Sequence, residues 1–296
     1  MLKRAPLALL AMALPAMALA ALPAAAADCP GNPNALGVSR VVEIDTTGGP
    51  GFGFEHFKDH DFLQQKEVVL TFDDGPWPGT TQQVLQALAD HCTKAMFFTI
   101  GKHAMWHPEI LHQVAAAGHT IASHTFSHQN LASKKLDDEH RKAEIEMGIS
   151  AVRRSLGENA DRLSAFIRFP ALQHPPEMMK YVGERNIGVW STDLDSFDFK
   201  MKSSEKMVSS LMRKLDKRGK GILLMHDFQK VTAHGAADLL KQLQAGGYKV
   251  VHVTSKDTVK SLPQYDEKVA AQIKGPVGNS TRPTSSIVKT ISQETK

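Results

Sequence analysis

Two adjacent carboxylates stand where a buried apolar run ends in a Gly-Pro turn. Asp73 and Asp74 follow the apolar residues 68–72 and precede Gly75 and Pro76. Because a carboxylate is destabilising inside an apolar sheet, both side chains must project from the end of the strand into a polar site or onto a metal ion. The pair therefore predicts chemistry at the end of this strand.

Two histidines four residues apart, His124 and His128, supply the other groups that a metal site needs. One Asp and two His form a complete protein ligand set for a catalytic zinc, because such a site leaves one coordination position open for water. The remaining Asp of the pair would then be free to act as a general base. The same ligands also accept Co²⁺, Ni²⁺ or Mn²⁺.

Further polar groups follow later apolar runs, and they strengthen motifs that are weak alone. An Asp-Asp-Gly-Pro string by itself is more often a solvated turn, and a His pair at this spacing is often structural. The further groups are Arg168, the acidic cluster Asp193, Asp195 and Asp198, and His226. Each of these alone would more often be an ion pair, a solvated loop or a strand-end histidine. Repeated placement after apolar runs is improbable by chance, so we expect one shared site.

The elements that would position these groups alternate along the chain. Apolar runs of strand length cover residues 68–72, 95–99, 119–123, 166–169, 187–191, 221–225 and 248–253. Helical spacing separates them, most clearly where Ile145, Ile149, Val152 and Leu156 form one buried stripe. Alternation of buried strands with helices predicts an α/β fold with parallel strands, and seven units suffice for a distorted, incomplete (β/α)7 barrel.

In such a barrel the carboxyl ends of all strands lie on one rim, where the candidate groups would converge. A doubly wound open sheet would show the same alternation. That fold favours a glycine-rich phosphate loop after the first strand, and the Asp73-Asp74 pair is the wrong chemistry for such a loop.

The chain begins with a pattern typical of an export signal over residues 1–27. A basic start precedes an apolar stretch over residues 7–22, and the small residues 25–27 form a cleavage site. The stretch is interrupted by Pro15 and is short for a membrane span. We expect cleavage after residue 27, a periplasmic or secreted protein, and no stable membrane anchor after cleavage; an uncleaved anchor is the alternative.

Charge and cysteine content narrow the classes of partner. The predicted signal carries two positive charges, Lys3 and Arg4, so its removal takes the formal net charge from +4 to +2. A mildly basic chain without an arginine-rich arm does not indicate nucleic-acid binding. Cys29 and Cys92 are the only cysteines, and an even count in an exported chain permits one disulfide, with two unpaired thiols as the alternative. Nothing in the sequence indicates an oligomeric state.

Composition divides the rest of the chain into three parts. Residues 28–66 are dense in turn formers and predict an irregular N-terminal lead-in. Residues 263–296 are rich in Ser, Thr, Lys, Gly and Pro, and predict a mostly disordered tail. Residues 67–262 lie between them and fit one large catalytic domain.

With its motifs in this order, the chain resembles the polysaccharide deacetylases of carbohydrate esterase family 4, which include chitin, chitooligosaccharide and peptidoglycan deacetylases. The resemblance spans about residues 67–253. It implies a distorted barrel of seven strands and one divalent metal, with Zn²⁺ as the first choice. It also implies hydrolysis of N-acetyl groups on a glucosamine-containing polysaccharide or oligosaccharide by metal-activated water.

The resemblance assigns roles to the first group of residues. Asp73 would be the base, and Arg168 would orient it. Asp74, His124 and His128 would hold the metal. These roles agree with the ligand set derived above, and they decide which of the two adjacent carboxylates does which task.

The same resemblance makes His226 the acid, held by Asp198, and places Leu224 in the pocket for the acetyl methyl group. The backbone amide of Ala171 would help to bind the oxyanion. Two positions depart from the family pattern, since Ala171 replaces the usual aromatic residue and Phe199 replaces the Trp that normally follows the acidic residue.

Three alternatives remain open from the sequence. Asp193 or Asp195 could be the functional acidic residue in place of Asp198. The same apparatus would also serve an O-acetyl esterase acting on xylan or another glycan. A catalytically inactive, metal-bearing glycan-binding protein is the third, suggested by Ala171 and Phe199. Met105, Trp106 and His107 could form part of a sugar-binding rim or could simply pack.

Overall fold

The computed structural model describes residues 29–274, so the predicted signal peptide and residues 275–296 of the predicted tail lie outside the described residues. Strands and helices alternate along this range. The strands are β1 Arg40–Ile44, β2 Gly51–Phe52, β3 Glu67–Asp73, β4 Met96–Thr99, β5 Thr120–Ser123, β6 Leu163–Ile167, β7 Gly188–Trp190, β8 Leu194–Asp195, β9 Gly221–His226 and β10 Lys249–Ser255. The helices are α1 Thr80–Asp90, α2 Gly101–Trp106, α3 Pro108–Ala116, α4 Asp138–Leu156, α5 Pro176–Glu184, α6 Ser204–Arg218, α7 Lys230–Ala245 and α8 Pro263–Lys274. Short 3₁₀ helices cover Gly157–Arg162, Pro170–Leu172 and Asp198–Lys200.

All pairings between these strands are parallel, as the alternation predicted. The sheet runs in the order β1-β10-β3-β4-β5-β6-β7-β2, and β9 pairs with β3 while β8 pairs with β9. In β3, Thr71 is paired with Met96 of β4 and with Leu224 of β9, so these two neighbours lie on opposite edges of the strand. Strand β3 is therefore central to the sheet.

The barrel is incomplete. Within residues 29–274, no strand pairing joins β8 to β2, so hydrogen bonds do not close the ring at this point. The structure confirms the predicted fold class, an α/β fold whose parallel strands form a distorted, open barrel with helices outside.

Both faces of the central strands are buried, which explains their continuous apolar runs. In β3, Val69 belongs to a cluster inside the barrel together with Phe98 and Trp190. Its neighbours Val68 and Leu70 belong to a second cluster that packs beneath the helices. On the inner face, Thr71 and Asp73 continue the Val69 row towards the carboxyl rim, where polar groups replace apolar ones.

The prediction of a wholly irregular lead-in over residues 28–66 is wrong. Strand β1 pairs with β10, and the two residues of β2 pair with β7. Neither strand is obvious from the sequence. Strand β1 has only one fully buried residue and includes charged side chains, and β2 is only two residues long. Their partners lie far away in the chain, so local propensity could not reveal them.

The prediction of a disordered tail is wrong for its first twelve residues, which form helix α8. Val269 is fully buried in a small cluster with Phe126 and Ala151. The Ser150 hydroxyl also donates to the carboxylate of Asp266 at 2.5 Å. One buried residue in a polar segment is a weak sequence signal, but contact with α4 is sufficient to anchor the helix.

Smaller differences concern strand ends. Strand β6 begins at Leu163, three residues before the predicted run, and Ser164 within it donates its hydroxyl to the carbonyl of Ile121. Strand β8 was not predicted, because two half-buried residues carry no periodicity. Of the helices in residues 29–274, none combines the length and the apolar composition needed to cross a bilayer.

Candidate metal centre and active site

Asp74, His124 and His128 meet at the carboxyl rim of the barrel. The Nε2 atoms of His124 and His128 each lie 3.4 Å from Oδ1 of Asp74. The three ligand atoms lie within 4.8 Å of one another. Residue types predicted a site of one Asp and two His, the family resemblance selected Asp74, and the structure brings these three side chains together.

The backbone of β3 and its following turn sets the direction of the two carboxylates. Asp73 is the last residue of β3, and Asp74 adopts a left-handed backbone conformation with φ 75°. The Asp74 amide donates to the carbonyl of Phe98 at 3.1 Å. This break in the strand turns two consecutive side chains towards the same rim, whereas a regular strand would direct them to opposite faces.

The tautomer of His124 suits metal binding. Its Nδ1–H donates to the carbonyl oxygen of Arg168 at 2.7 Å, so Nε2 is left as the acceptor nitrogen that faces Asp74. Burial lowers the pKa of His124, but Asp73 and Asp74 outweigh burial and leave it raised. Burial raises the pKa of Asp74, yet the adjacent His124 leaves that pKa well below its usual range.

Helix α4 holds the segment that carries the second histidine. The carboxylate of Glu144 accepts from the amide and the hydroxyl of Ser127, at 2.8 and 2.6 Å. The Phe126 amide donates to the carbonyl oxygen of Glu144 at 2.8 Å. His128 itself has φ 60° and a side chain that is 40 % exposed, so it forms the solvent side of the cluster.

The geometry of these ligands fits a divalent metal. Oδ1 of Asp74 is buried and has no hydrogen-bond partner among the described residues, although two imidazole nitrogens face it. Ligands at about 2.1 Å from a tetrahedral zinc lie about 3.4 Å apart, which matches both Asp74–His distances. A divalent cation would satisfy such a buried, unpaired carboxylate oxygen that faces two imidazole nitrogens.

Arg168 is fully buried and contacts the neighbouring carboxylate. Its guanidinium donates to Oδ1 of Asp73 at 2.6 Å, to the hydroxyl of Thr71 at 2.9 Å and to the carbonyl of Ser191 at 2.8 Å. The Cζ atom of Arg168 lies 4.1 Å from the centroid of the Phe98 ring. Several fixed partners hold the guanidinium and hence the Asp73 carboxylate in one orientation.

Asp73 consequently presents only one oxygen to the site. With Oδ1 held by Arg168, its Oδ2 lies 3.9 Å from Nε2 of His124. Asp73 is also paired in register with His226 across strands β3 and β9. A free carboxylate oxygen next to the ligand cluster is well placed to accept a proton from a bound nucleophile.

His226 is held by Asp198. Oδ1 of Asp198 accepts from Nδ1 of His226 at 2.7 Å, and Oδ2 accepts from the His226 amide at 2.7 Å and the Thr232 hydroxyl at 2.5 Å. Burial lowers the pKa of His226, but the hydrogen bond and the negative charge of Asp198 exceed that effect and raise it to about 9. The imidazole is therefore stable as a cation near neutral pH.

The two other acidic candidates have different surroundings. Asp193 accepts from the amides of Phe54 and Ile222 and forms an ion pair with Arg218. Asp195 lines the cavity described below, and burial raises its pKa. Of the three, only Asp198 is hydrogen-bonded to His226.

A cavity of about 470 Å³ opens over these groups, and we call it the cleft. Ala171 and Leu224 both line it, as does Phe199, whose ring stands edge-on to His226 at 5.6 Å. Ala171 has φ 54°, an uncommon backbone conformation for this residue type. The two departures from the family pattern thus lie in the cavity wall.

Several residues of the site were not predicted. Glu55 and His56 of the lead-in line the cleft, and no local signal marked them because a distant segment folds over the rim. Asp227 is fully buried behind the rim, where it accepts from the Gly75 amide at 2.9 Å and the Thr81 hydroxyl at 2.5 Å. Burial raises the pKa of Asp227 to about 7. Its position directly after His226, at the end of an apolar strand, was an available signal.

Comparisons with known proteins agree with this geometry. Residues 61–189 match the family described as polysaccharide deacetylase. Over 193 residues the chain is 31% identical to a peptidoglycan-N-acetylglucosamine deacetylase of Bacillus cereus, covering 64% of this chain and 67% of the relative. Over 129 residues it is 38% identical to a chitooligosaccharide deacetylase of Rhizobium leguminosarum bv. trifolii, covering 44% of this chain and 50% of that relative.

A solved structure of similar fold is the Bdellovibrio bacteriovorus peptidoglycan deacetylase Bd3279, with a TM-score of 0.65 and 31% identity. The match covers 74% of this chain and 59% of that structure. The chain thus spans between half and two thirds of the length of these three proteins.

Proposed function

Because this chain belongs to the polysaccharide deacetylase family, carbohydrate esterase family 4, we propose that it is a metal-dependent N-deacetylase. Its substrate would be a glucosamine-containing polysaccharide or oligosaccharide outside the cytoplasm. One observation carries the proposal: the Asp74, His124 and His128 cluster adjoins two separately held groups, Asp73 and His226. Together they supply metal ligands, a base and an acid in one cavity.

Asp74, His124 and His128 would hold the metal, and zinc suits this donor set, with cobalt, nickel or manganese as substitutes. A divalent cation there would polarise the acetyl carbonyl and lower the pKa of water. Asp73 would remove the proton from the attacking water through Oδ2, the oxygen that Arg168 leaves free. Arg168 would keep that oxygen directed towards the site.

His226 would act as the acid. Amide hydrolysis releases an amine, which is a poor leaving group unless its nitrogen is protonated. Nδ1 of His226 is occupied by Asp198, so the proton would come from Nε2. The raised pKa of His226 keeps this proton in place until the carbon–nitrogen bond breaks. The amide of Ala171 would stabilise the oxyanion, and Leu224 would contact the acetyl methyl group.

The organisation of the chain follows from this proposal. Residues 67–262 would form the catalytic domain, with lead-in strands and helix α8 packed onto it. Export to the periplasm or beyond would place the enzyme where acetylated cell-wall or chitin-type glycans occur. The Bacillus cereus relative is named for peptidoglycan and the Rhizobium relative for chitooligosaccharide, so both glycans are candidate substrates.

Acetate release tests the proposal. The purified protein should release acetate from N-acetylglucosamine oligomers or peptidoglycan, should lose this activity on chelation, and should recover it with Zn²⁺ or Co²⁺. Preference for acetylated xylan would instead identify an O-acetyl esterase. Binding of these glycans without acetate release under any of these metals would identify an inactive glycan-binding protein.

Asp73→Asn is the sharpest variant for the proposed base. We expect it to reduce kcat by about 10² to 10⁴-fold, because general base catalysis is lost, while the protein still binds one metal through its unchanged ligands. Asp238→Asn, a change on the exposed face of α7, is the matched control and should behave as wild type. Undiminished acetate release by Asp73→Asn would refute the assigned mechanism.

A further inference from the structure

Asp227 is a fully buried carboxylate that the proposed mechanism does not use. It follows the proposed acid His226 directly, yet it does not line the cleft. A carboxylate without water is strongly destabilising unless its oxygens accept hydrogen bonds. The groups that bond to Asp227 belong to residues 73–77 or are themselves bonded to that segment. We call residues 73–77, which include the metal ligand Asp74, the ligand turn.

Each side-chain oxygen of Asp227 accepts a hydrogen bond. Oδ1 accepts from the Gly75 amide at 2.9 Å, and Oδ2 accepts from the Thr81 hydroxyl at 2.5 Å. The oxygen of that hydroxyl accepts in turn from the Trp77 amide at 2.7 Å. The single hydroxyl proton of Thr81 is therefore directed to Asp227, and one carboxylate orients two amides of the ligand turn.

Asp227 contacts both peptide units that flank the metal ligand Asp74. Its backbone amide donates to the Asp73 carbonyl at 3.2 Å, and its side chain binds the Gly75 amide. The carbonyl of the second unit, which belongs to Asp74, accepts from Nδ1 of His103 at 2.5 Å. The peptide unit between Asp74 and Gly75 is thus held at both its N–H and its C=O.

The backbone conformation that these contacts hold is an uncommon one. Asp74 has φ 75°, in the left-handed region that side chains other than glycine rarely adopt. Such a conformation persists where the surrounding structure fixes it. In Asp74 it directs the side chain towards two histidine nitrogens, each 3.4 Å from Oδ1. Groups that fix this backbone therefore also fix the position of the carboxylate ligand.

Close packing makes the contact between Asp227 and the ligand turn direct. A Cβ at position 75 would overlap both carboxylate oxygens of Asp227, so only glycine permits this approach. The contact also requires a carboxylate, because both oxygens face donors. Asp227→Asn would leave one acceptor oxygen and would turn an NH2 group towards a donor.

We propose that Asp227 is a positioning residue for the metal ligand Asp74. It touches neither the metal nor the substrate, and it acts by fixing the backbone of the ligand turn. This role rests on the metal site of the proposed function and goes beyond the three ligands. It makes the affinity for the metal depend on a buried group outside the cleft.

Zinc affinity of the complete protein tests this role. For Asp227→Asn, we expect the Kd for Zn²⁺, measured by competition with a chromogenic chelator, to rise about 10- to 100-fold, as is usual when a group that orients a metal ligand is lost. The visible absorption spectrum of the Co²⁺-loaded protein should change as well, because the Asp74 oxygen would shift relative to the histidines. An unchanged Kd for Zn²⁺ would overturn the role, even if the free energy of unfolding fell.

Glu67→Gln is the matched control. Glu67 is also a buried carboxylate, and it lies at the opposite end of β3, where it accepts from the Arg40 guanidinium and the Gln64 amide. This variant should lose stability but keep the wild-type Kd for Zn²⁺. A rise in Kd equal to that of Asp227→Asn would show a general effect of destabilisation, and it would overturn the positioning role.

Thr81 provides a second, milder test. Thr81→Val removes the hydroxyl between Asp227 and the Trp77 amide, and it should raise the Kd for Zn²⁺ less than Asp227→Asn does. Thr81→Ser keeps the hydroxyl and should restore the wild-type value. Equal Kd values in these two variants would overturn the role, including where Asp227→Asn does not fold.

These measurements need no turnover, so they separate the positioning role from the proposed function. A raised Kd in Asp227→Asn would support the role even if wild type released no acetate. Acetate release by wild type with an unchanged Kd in Asp227→Asn would support the proposed function and overturn the role. A wild-type protein without affinity for Zn²⁺ or Co²⁺ would overturn both.

Discussion

At the residue scale, the proposed base Asp73, the proposed acid His226 and the metal ligand His124 are each held by a group that does not react. Arg168 makes two of these contacts, since its side chain binds Asp73 and its carbonyl oxygen accepts from His124. One buried residue thereby couples the proposed base to a metal ligand. Asp198 holds the proposed acid His226 through two hydrogen bonds, one from the ring nitrogen Nδ1 and one from the backbone amide. Such support fixes the orientation and the protonation state of each reacting side chain.

The contact between Asp198 and His226 predicts a pH dependence. An acid must be protonated, so kcat/KM falls as pH rises through the pKa of His226, which Asp198 raises to about 9. A bound cation opposes this shift, so the alkaline limb should lie at or below that pH. In Asp198→Asn, burial is no longer offset by the carboxylate, and we expect the limb to move to lower pH. The measurement is kcat/KM against pH.

Asp193→Asn is the control for this experiment. Asp193 is a nearby carboxylate that binds backbone amides and Arg218 but does not contact His226. The alkaline limb of the kcat/KM profile of Asp193→Asn should coincide with that of wild type. A limb that stays at the same pH in Asp198→Asn would show that His226 is not the acid tuned by this carboxylate.

At the element scale, helix α4 positions the segment between the two histidine ligands. Gly148 in this helix lies against the backbone of that segment, and a Cβ at this position would come within 2.5 Å of the Thr125 carbonyl carbon. Backbone atoms cannot move aside as a flexible side chain can. The approach of α4 therefore requires glycine, and it sets the distance between the helix and the metal ligands.

Gly148→Ala should displace the ligand segment. We expect weaker metal binding and a loss of about 1–3 kcal/mol in the free energy of unfolding, because the added methyl group overpacks against backbone. Gly235→Ala is the matched control in helix α7, where the nearest atom is the flexible end of Met207 at 3.1 Å. Metal titration and denaturant unfolding of both variants test this expectation. Equal metal affinity and equal free energy of unfolding in Gly148→Ala and Gly235→Ala would contradict it.

Helix α8 packs against both α4 and the same segment. Val269 is fully buried with Phe126, which lies between the two histidine ligands in the chain. Val269→Asp should lower the free energy of unfolding by about 3 kcal/mol, because an unpaired charge would be buried. The exposed neighbour Ala271→Asp should have little effect. Equal stability of the two variants in denaturant titrations would mean that α8 does not pack as described.

At the scale of the whole molecule, distant segments complete an open barrel. Strands β1 and β2 extend the sheet at its two ends, and Cys29 and Cys92 form a disulfide with a Cα–Cα distance of 5.7 Å. The disulfide ties the start of the described chain to the residues just after α1. The lead-in is therefore part of the folded domain and contributes Glu55 and His56 to the cleft.

Removal of the disulfide tests how much this tie stabilises the fold. The bond spans 63 residues, and a loop of that length restricts the unfolded chain enough to contribute about 4 kcal/mol. Cys29→Ser with Cys92→Ser should lose about that free energy of unfolding in denaturant titrations. Acetate release at 25 °C should persist, because neither cysteine lines the cavity over the metal ligands. Reduced wild type is the control, and an unchanged unfolding free energy would contradict the expectation.

Local patterns were enough to predict the fold class and the residues that meet at the rim. Asp73, Asp74 and His226 each stand at or just after the end of an apolar strand, and a parallel barrel brings all such ends to one side. Position after a strand is a property of neighbouring residues, so it can be identified in the sequence. The family resemblance supplied the roles, which remain proposals.

Contacts between distant parts of the chain decided the rest. Composition could not show which of Asp193, Asp195 and Asp198 is hydrogen-bonded to His226, because all three come after the same predicted strand over residues 187–191. It could not show that β1 pairs with β10, that α8 packs on α4, or that Trp106 borders the metal ligands. Each of these depends on the spatial arrangement of elements far apart in sequence, which hydrophobic packing of the whole domain determines and local propensity does not encode.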